Sequence, residues 1–311
     1  MAKYVIRRVL YMVPILFGIS LITFLLFHVV GGSPAAQIAG KYATADQIRL
    51  IEKQMGLDQP LPIQYFHYLK DLVTFDFGRS WSTQQQITDM IWSGMGPSLS
   101  LTLPAFLLVI LLSISISLFI AYRRQGWLDK GILILCLAGM SVSSLVYILY
   151  MQYWLAYKAG IFPISGWDPS WTGRWEYVAL PILIFVLLSL GGNVLFYRSV
   201  FLDEIQNDYV RTARAKGLST QKILFKHILR NALIPIITLV VLEMPFLILG
   251  SLLLESFFDI PGLGGLIYSA IQNADFPVIK AITFIGALLY MIFQLFSDIL
   301  YAIVDPKVQL K

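Results

Sequence analysis

Long unbroken apolar runs dominate this chain, separated by shorter polar stretches. Six runs are long enough to cross a hydrocarbon core, which takes about 20 helical residues. They are Val9–Val30, Leu99–Tyr122, Gly131–Trp154, Tyr177–Tyr197, Ala232–Leu254 and Val278–Val304. The pattern predicts an all-α membrane protein with six transmembrane helices. The first run is too long for a signal-peptide core and lacks a convincing cleavage site, so it reads as a retained anchor.

The polar stretches carry their own helix signals. Between the first two runs, Thr44 and Gln47 have capping-box spacing, and Ile48, Ile51 and Met55 then share one helical face with Gly56 as a stop. Pro60 and Pro62 follow, and a second helix is expected to carry Ile63, Phe66, Leu69 and Val73. Both pieces are expected to pack on the ends of the spans. The loop before the fourth run holds Trp167, Trp171 and Trp175, which predicts an aromatic belt or a lid, with substrate stacking as the alternative. The stretch from Glu255 to Pro277 has a proline-glycine turn and then an apolar helix, long enough to fold back as a re-entrant piece. The chain divides into 1–97, the first span with its polar helical segment, and 98–305, five helices with a polar loop at 198–231.

Composition agrees with the spans. The 311 residues are 58% hydrophobic and 13% charged, about half the charged share of a soluble domain. Cys136 stands alone in an apolar run, so there is no disulfide framework. The net charge of +5 is unevenly distributed. The N-terminus, the 123–130 loop, the 198–230 loop and the C-terminus together hold fifteen Lys/Arg and five acids, whereas the opposite set holds eight and eleven. The positive-inside rule therefore puts both termini and the 198–230 loop in the cytoplasm. That distribution is a topology signal, and nucleic-acid binding is a poor explanation for it.

Six of the basic residues lie between Tyr209 and Pro235: Arg211, Arg214, Lys216, Lys222, Lys226 and Arg230, with no acid among them. The stretch reads as two short helices. One runs from Asn207 or Asp208 to Lys216 and stops at Gly217. The second starts at a Ser219 cap, with Leu218 and Ile223 at hydrophobic-staple spacing and Lys222, Lys226 and Arg230 on one basic face. It is either a loop that only sets topology or a docking surface for a cytoplasmic partner.

Chemistry-bearing motifs are few. Gly40-Lys41 fails the phosphate-loop pattern because Ala35 and Tyr42 stand at required positions. The histidines His28, His67 and His227 fall on different sides of the expected membrane, and there is no Gly-x-Ser-x-Gly elbow. Two carboxylates lie within spans: Glu243, about 17 Å along the fifth, and Asp298, about 9 Å from the end of the sixth. Carboxylates at such depth face protein or a water-filled path. Glu243, beside Pro245, reads as lining a polar cavity that could meet a cationic group, or as a buried hydrogen-bonding residue. Asp298 has the same two readings. Asn193, next to Gly191 and Gly192, reads first as helix-packing glue.

The segments YVIRRVL, MGLDQPLPIQY, FDFGRS, YVRTARAKGLSTQKILFKHILRNALIP, ESFFDIPGLGGL, NADFPVIK and SDILYAIVDPK occur in that order. In them the chain resembles the permease subunit of dipeptide/oligopeptide (peptide/nickel) ABC importers, within the type I binding-protein-dependent group, over nearly its whole length. The resemblance makes 98–305 the type 1 ABC transmembrane domain and Tyr209–Ser219 the coupling segment that sits on a cytoplasmic ATPase. Its expected coupling residues are Tyr209, Arg211, Ala213, Arg214, Ala215, Lys216 and Gly217. Ala213 and Ala215 would fit a partner groove, Arg214 and Lys216 would pair with its acids, and Gly217 would hinge the two helices. Arg211 and Thr212 stand where the wider pattern has Glu-Ala. Implied partners are a homologous second permease, two ABC ATPase subunits binding ATP and Mg, and an extracytoplasmic solute-binding protein, all organised on the lipid bilayer. The chain itself would be neither enzyme nor cofactor carrier, and Glu243, Asp298 and Asn193 would line the substrate path. The alternatives are a nickel or metal-chelate importer of the same type and an ATPase-independent secondary transporter using Glu243 and Asp298.

Overall fold

The computed structural model describes residues 2–30, 34–39, 43–54 and 56–304. Gly40-Lys41-Tyr42, Met55, Asp305, Lys307 and Lys311, each used in the sequence reading, lie outside those residues. The described residues form helices α1 Ala2–Val30, α2 Pro34–Ala39, α3 Ala45–Gln54, α4 Leu61–Thr74, α5 Ile87–Tyr122, α6 Trp127–Ser141 and α7 Ser144–Met151. Helix α7 runs on as a π-helix over Gln152–Lys158. There follow α8 Arg174–Ile205, α9 Asp208–Ala215, α10 Thr220–Lys222, a second π-helix Ile223–Ile228, α11 Leu229–Asn231, α12 Leu233–Leu249, α13 Leu252–Phe257, α14 Leu263–Gln272 and α15 Phe276–Val304. The fold is all-α, with no strand among the described residues.

Five helical stretches are long and apolar enough to cross a membrane: Tyr4–His28, Ile87–Tyr122, Arg174–Ile205, Leu233–Phe257 and Phe276–Tyr301. The third predicted span differs. Its residues form α6 and the α7–π unit, bent by 92° at a short break. There Val142 and Ser143 turn extended, with ψ of 132° and 142°. At the break the Gly139 carbonyl loses its i+4 partner, takes a long 3.4 Å bond from the Val142 amide, and accepts from the Tyr147 hydroxyl at 3.1 Å. An apolar run is blind to this, because the group that repairs the broken ladder lies on the far side of the bend.

The helices also outrun the predicted spans. α5 starts at Ile87 and passes Pro97 and Pro104 without ending, while α8 carries Arg198 and Phe201 within the helix rather than in a loop. α5 and α8 pack along each other, α12 lies on α15 and α5, and α1 lies on α15.

The segment between the first two spans follows its signals in part. Thr44 and Gln47 form a reciprocal capping box: the Thr44 amide donates to Gln47 Oε1 at 2.9 Å and the Gln47 amide to Thr44 Oγ1 at 3.4 Å. Gly56 has φ +66° past the end of α3. The inward face of α4 is Tyr65, Tyr68 and Leu72, whereas the expected Ile63, Phe66 and Val73 are exposed. The reason is aromatic. Tyr65 and Tyr68 pack on Phe24 of α1 with ring centroids 5.3 and 5.8 Å apart, and the Tyr65 and Ser20 hydroxyls lie 2.9 Å apart.

Candidate functional site

The basic segment is built by local backbone chemistry. Asn207 takes an extended cap conformation before α9. At the other end Lys216 is the C-cap and Gly217 has φ +73°. The Gly217 amide donates to the Arg214 carbonyl at 2.9 Å and the Leu218 amide to Ala213 at 3.3 Å. These two bonds define a Schellman stop, which needs a left-handed residue where glycine carries no Cβ penalty. Ser219 then starts the next helix with extended backbone, though its hydroxyl makes no capping bond. That helix passes at once into the π-turn. Ile223 and Ile228, five apart, are both buried, an arrangement that suits the wider π repeat. Lys222, Lys226 and Arg230 are all exposed.

One face of α9 is fixed to the spans. Val210 and Ala213 are buried in a cluster with Leu118 and Ala121 of α5, Tyr197, Phe201 and Ile205 of α8, and Ile236 of α12, and Leu218 packs against the same cluster. Arg211, Thr212, Arg214, Ala215, Lys216 and Gly217 are exposed on the other side. The two alanines therefore part. Ala215 faces out, but Ala213, expected against a partner's groove, belongs to this chain's own core. The Tyr209 hydroxyl donates to Glu204 Oε2 at 2.5 Å, and burial, then this bond, pushes the phenol up to about 12. Beside α9 a cavity of about 490 Å³ is lined by Tyr122, Arg124, Ile205, Arg214, Thr220 and Leu224 among others. The segment is thus a short helix with a cationic outer face whose inner face is shared by three long helices.

The polar residues within the spans separate into two groups. Glu243 of α12 is half-buried, in the neighbourhood of Asn193 and Tyr197 of α8. Asn193 is buried, with its amide donating to Ser189 O at 3.1 Å. Asp298 is held elsewhere, in an ion pair with Arg8 of α1 at 2.7 Å, a helix-to-helix contact. Arg198 reaches from α8 to Asp129 at the start of α6 with two bonds of 2.7 Å.

Two carboxylates that the sequence reading counted only as charges turn out to organise the far end of the molecule. Glu255 is fully buried. It accepts from Ser98 Oγ at 2.8 Å and from the Ser251 and Gly265 amides at 3.0 Å each, while Ser98 Oγ itself accepts from the Leu263 amide at 2.8 Å. The predicted re-entrant turn and α14 are locked to α5 by this one side chain. A Cβ at Gly250 or Gly262 would strike the Glu255 carboxylate and Ser98. Asp275 similarly accepts from Ser80 Oγ at 2.5 Å, the Trp81 amide at 3.1 Å and Ser82 Oγ at 2.9 Å. The tryptophan loop is rigid as well, with Arg174 lying between Trp167 and Trp171 at 5.2 Å from each ring and donating to Ser100 Oγ at 3.1 Å.

The geometry defines a class, a polytopic all-α membrane subunit with an exposed cationic helix rooted in its long apolar helices. Comparison with known proteins gives the family. Residues 113–310 match the model of the binding-protein-dependent transport system inner membrane component, and residues 1–102 match the model of its N-terminal part. The chain belongs to this family of permease subunits, which are not themselves the catalysts. It is 34% identical over 311 residues, covering 100% of both chains, to the glutathione transport system permease protein GsiC of Shigella flexneri serotype 5b (strain 8401). Identity and coverage are the same for the proteins of that name from Escherichia coli (strain K12) and Salmonella typhi.

Proposed function

We propose that this permease moves small peptides inward across the membrane, in a complex with a homologous permease, two cytoplasmic ATPase subunits that bind ATP and Mg, and an external solute-binding protein. The observation that carries the reading is the two-faced α9: exposed Arg211, Arg214, Ala215 and Lys216 outside, and Val210 and Ala213 inside a core shared with α5, α8 and α12. An ATPase closing on the outer face would tilt the three helices as a unit. The asymmetry of basic residues supports a cytoplasmic side for this face and both termini. The peptide class is supported by the relatives' glutathione transport, and Glu243 with the nearby Asn193 is the candidate contact for a peptide's amino end.

The test is uptake and solute-stimulated ATP hydrolysis by the reconstituted complex. Gly217→Pro removes the Gly217 N–H bond to Arg214 and cannot reach φ +73°. Ala215→Trp adds bulk on the outward face while leaving the inner core alone. Both are expected to insert normally yet lose solute-stimulated hydrolysis and uptake together. Wild-type coupling in both would sink the docking role of α9.

A further inference from the structure

Lys280 has no role in anything described so far, and its surroundings are unusual. It lies about 6 Å along α15 from the Phe276 end, at 1.5 Å per residue. Its ammonium faces the rings of Phe27 and Tyr68, 5.8 and 5.6 Å from their centroids. Among the described residues no carboxylate approaches it within 4.0 Å and no acceptor takes its protons. Aromatic faces offset part of the cost of such a charge but satisfy none of its three N–H donors. The Tyr68 hydroxyl is also buried without a hydrogen-bond partner. The two orphans line one cavity of about 250 Å³, with Leu72, Phe77 and Pro277 as apolar wall. Asp71 and Asp76 line the same cavity. Both acids are exposed, so they form its mouth. Burial and the neighbouring Asp76 push the Asp71 carboxyl above its usual range, against the opposing pull of Lys70 and His67.

We infer that this cavity between α4 and α15 is a binding site for a small zwitterion, with the anionic end on Lys280 and Tyr68 and the ammonium end on Asp71 and Asp76. The floor carries the ammonium and the Tyr68 hydroxyl, the mouth two carboxylates of which Asp76 accepts the Gly78 amide at 3.3 Å, and among the described residues no ion pair closes the gap between them. A ligand with both charges satisfies all four groups at once, whereas a plain anion or cation leaves half of them unmet. The inference is independent of the peptide-import reading, since the site lies away from Glu243 and does not touch α9. Two sources carry this chemistry: a free dipeptide from solution, and the phosphoethanolamine headgroup of a membrane lipid.

The full chain in phosphatidylglycerol nanodiscs separates them. The readout is acetylation of Lys280 by a water-soluble active ester, quantified by peptide mass spectrometry, with Lys53 and Lys226 as exposed internal references. Glycylglycine at ~10 times its Kd is expected to slow Lys280 labelling about tenfold by mass action. N-acetylglycylglycine and glycylglycinamide, each lacking one charge, should protect far less. The D71N/D76N double variant retains Lys280 and should lose the glycylglycine protection while its reference lysines label normally. Protection without dipeptide, on adding phosphatidylethanolamine to the discs, assigns the zwitterion to the bilayer. No protection in either arm, or equal protection by the two capped dipeptides, overturns the site.

Discussion

Replacing Glu255 isolates what a single buried side chain does for the far end of the molecule. It is fully buried and accepts three hydrogen bonds, from Ser98, Ser251 and Gly265, at 2.8–3.0 Å. Two of the donors are backbone amides that no rotamer change can redirect to another partner. Glu255→Gln is nearly isosteric and keeps the oxygen that faces Ser98 and Ser251, but it turns an NH2 group toward the Gly265 amide. One bond is lost and a donor is left unpaired, costing about 2 kcal/mol. Glu255→Ala strands all three donors and leaves a cavity, for about 4–6 kcal/mol in total. For a chain of this size each kcal/mol moves a melting midpoint by about 2 °C, so the drops are ~4 °C for glutamine and ~10 °C for alanine. The assay is thermal unfolding in lipid nanodiscs followed by tryptophan fluorescence. Hydrogen exchange at Gly265–Gln272 should rise first, because α14 is held to α5 through this carboxylate. Equal midpoints for the two variants, or exchange that leaves α14 protected in Glu255→Ala, would refute the idea that Glu255 is the lock.

Two further perturbations probe other joints. Asp129 is 2% exposed and holds Arg198 with two bonds of 2.7 Å, so Asp129→Ala alone should cost about 3–5 kcal/mol by leaving a charge unpaired. Adding Arg198→Met should recover most of the loss in a double-mutant cycle of melting midpoints, and purely additive losses would argue against the pair. Tyr209 has its phenol pushed up to about 12 by burial and by its bond to Glu204, above a usual value near 10. With the folded value the higher one, the folded state holds this proton more tightly. Its contribution is complete below pH ~10 and fades as pH rises toward about 12. The stability difference between wild type and Tyr209→Phe should therefore be constant up to pH ~10 and shrink above it; a difference that grows there would have the sign wrong.

How much of this was written in the sequence depends on how local each device is. The stop at Gly217, the start at Ser219 and the Thr44/Gln47 box each need only residues within a turn of one another, and all three were legible. The break between α6 and α7 was hidden because its repair comes from Tyr147, eight residues past the carbonyl it serves. Glu255 was hidden more deeply, since its first donor is 157 residues away and nothing along the chain announces that Ser98 will arrive there. The two alanines of α9 are different, because the sequence held the answer and residue size obscured it. Positions two apart on a helix lie on nearly opposite faces, so Ala213 and Ala215 were never able to enter the same groove. One had to be inside, and Ala213 is three residues beyond the buried Val210, on the stripe that packs with Leu218 past the Gly217 stop. Small residues are ambiguous in size alone, and here their spacing resolves it: Ala213 roots α9 in the core shared with the spans, and Ala215 is the alanine left on the exposed face.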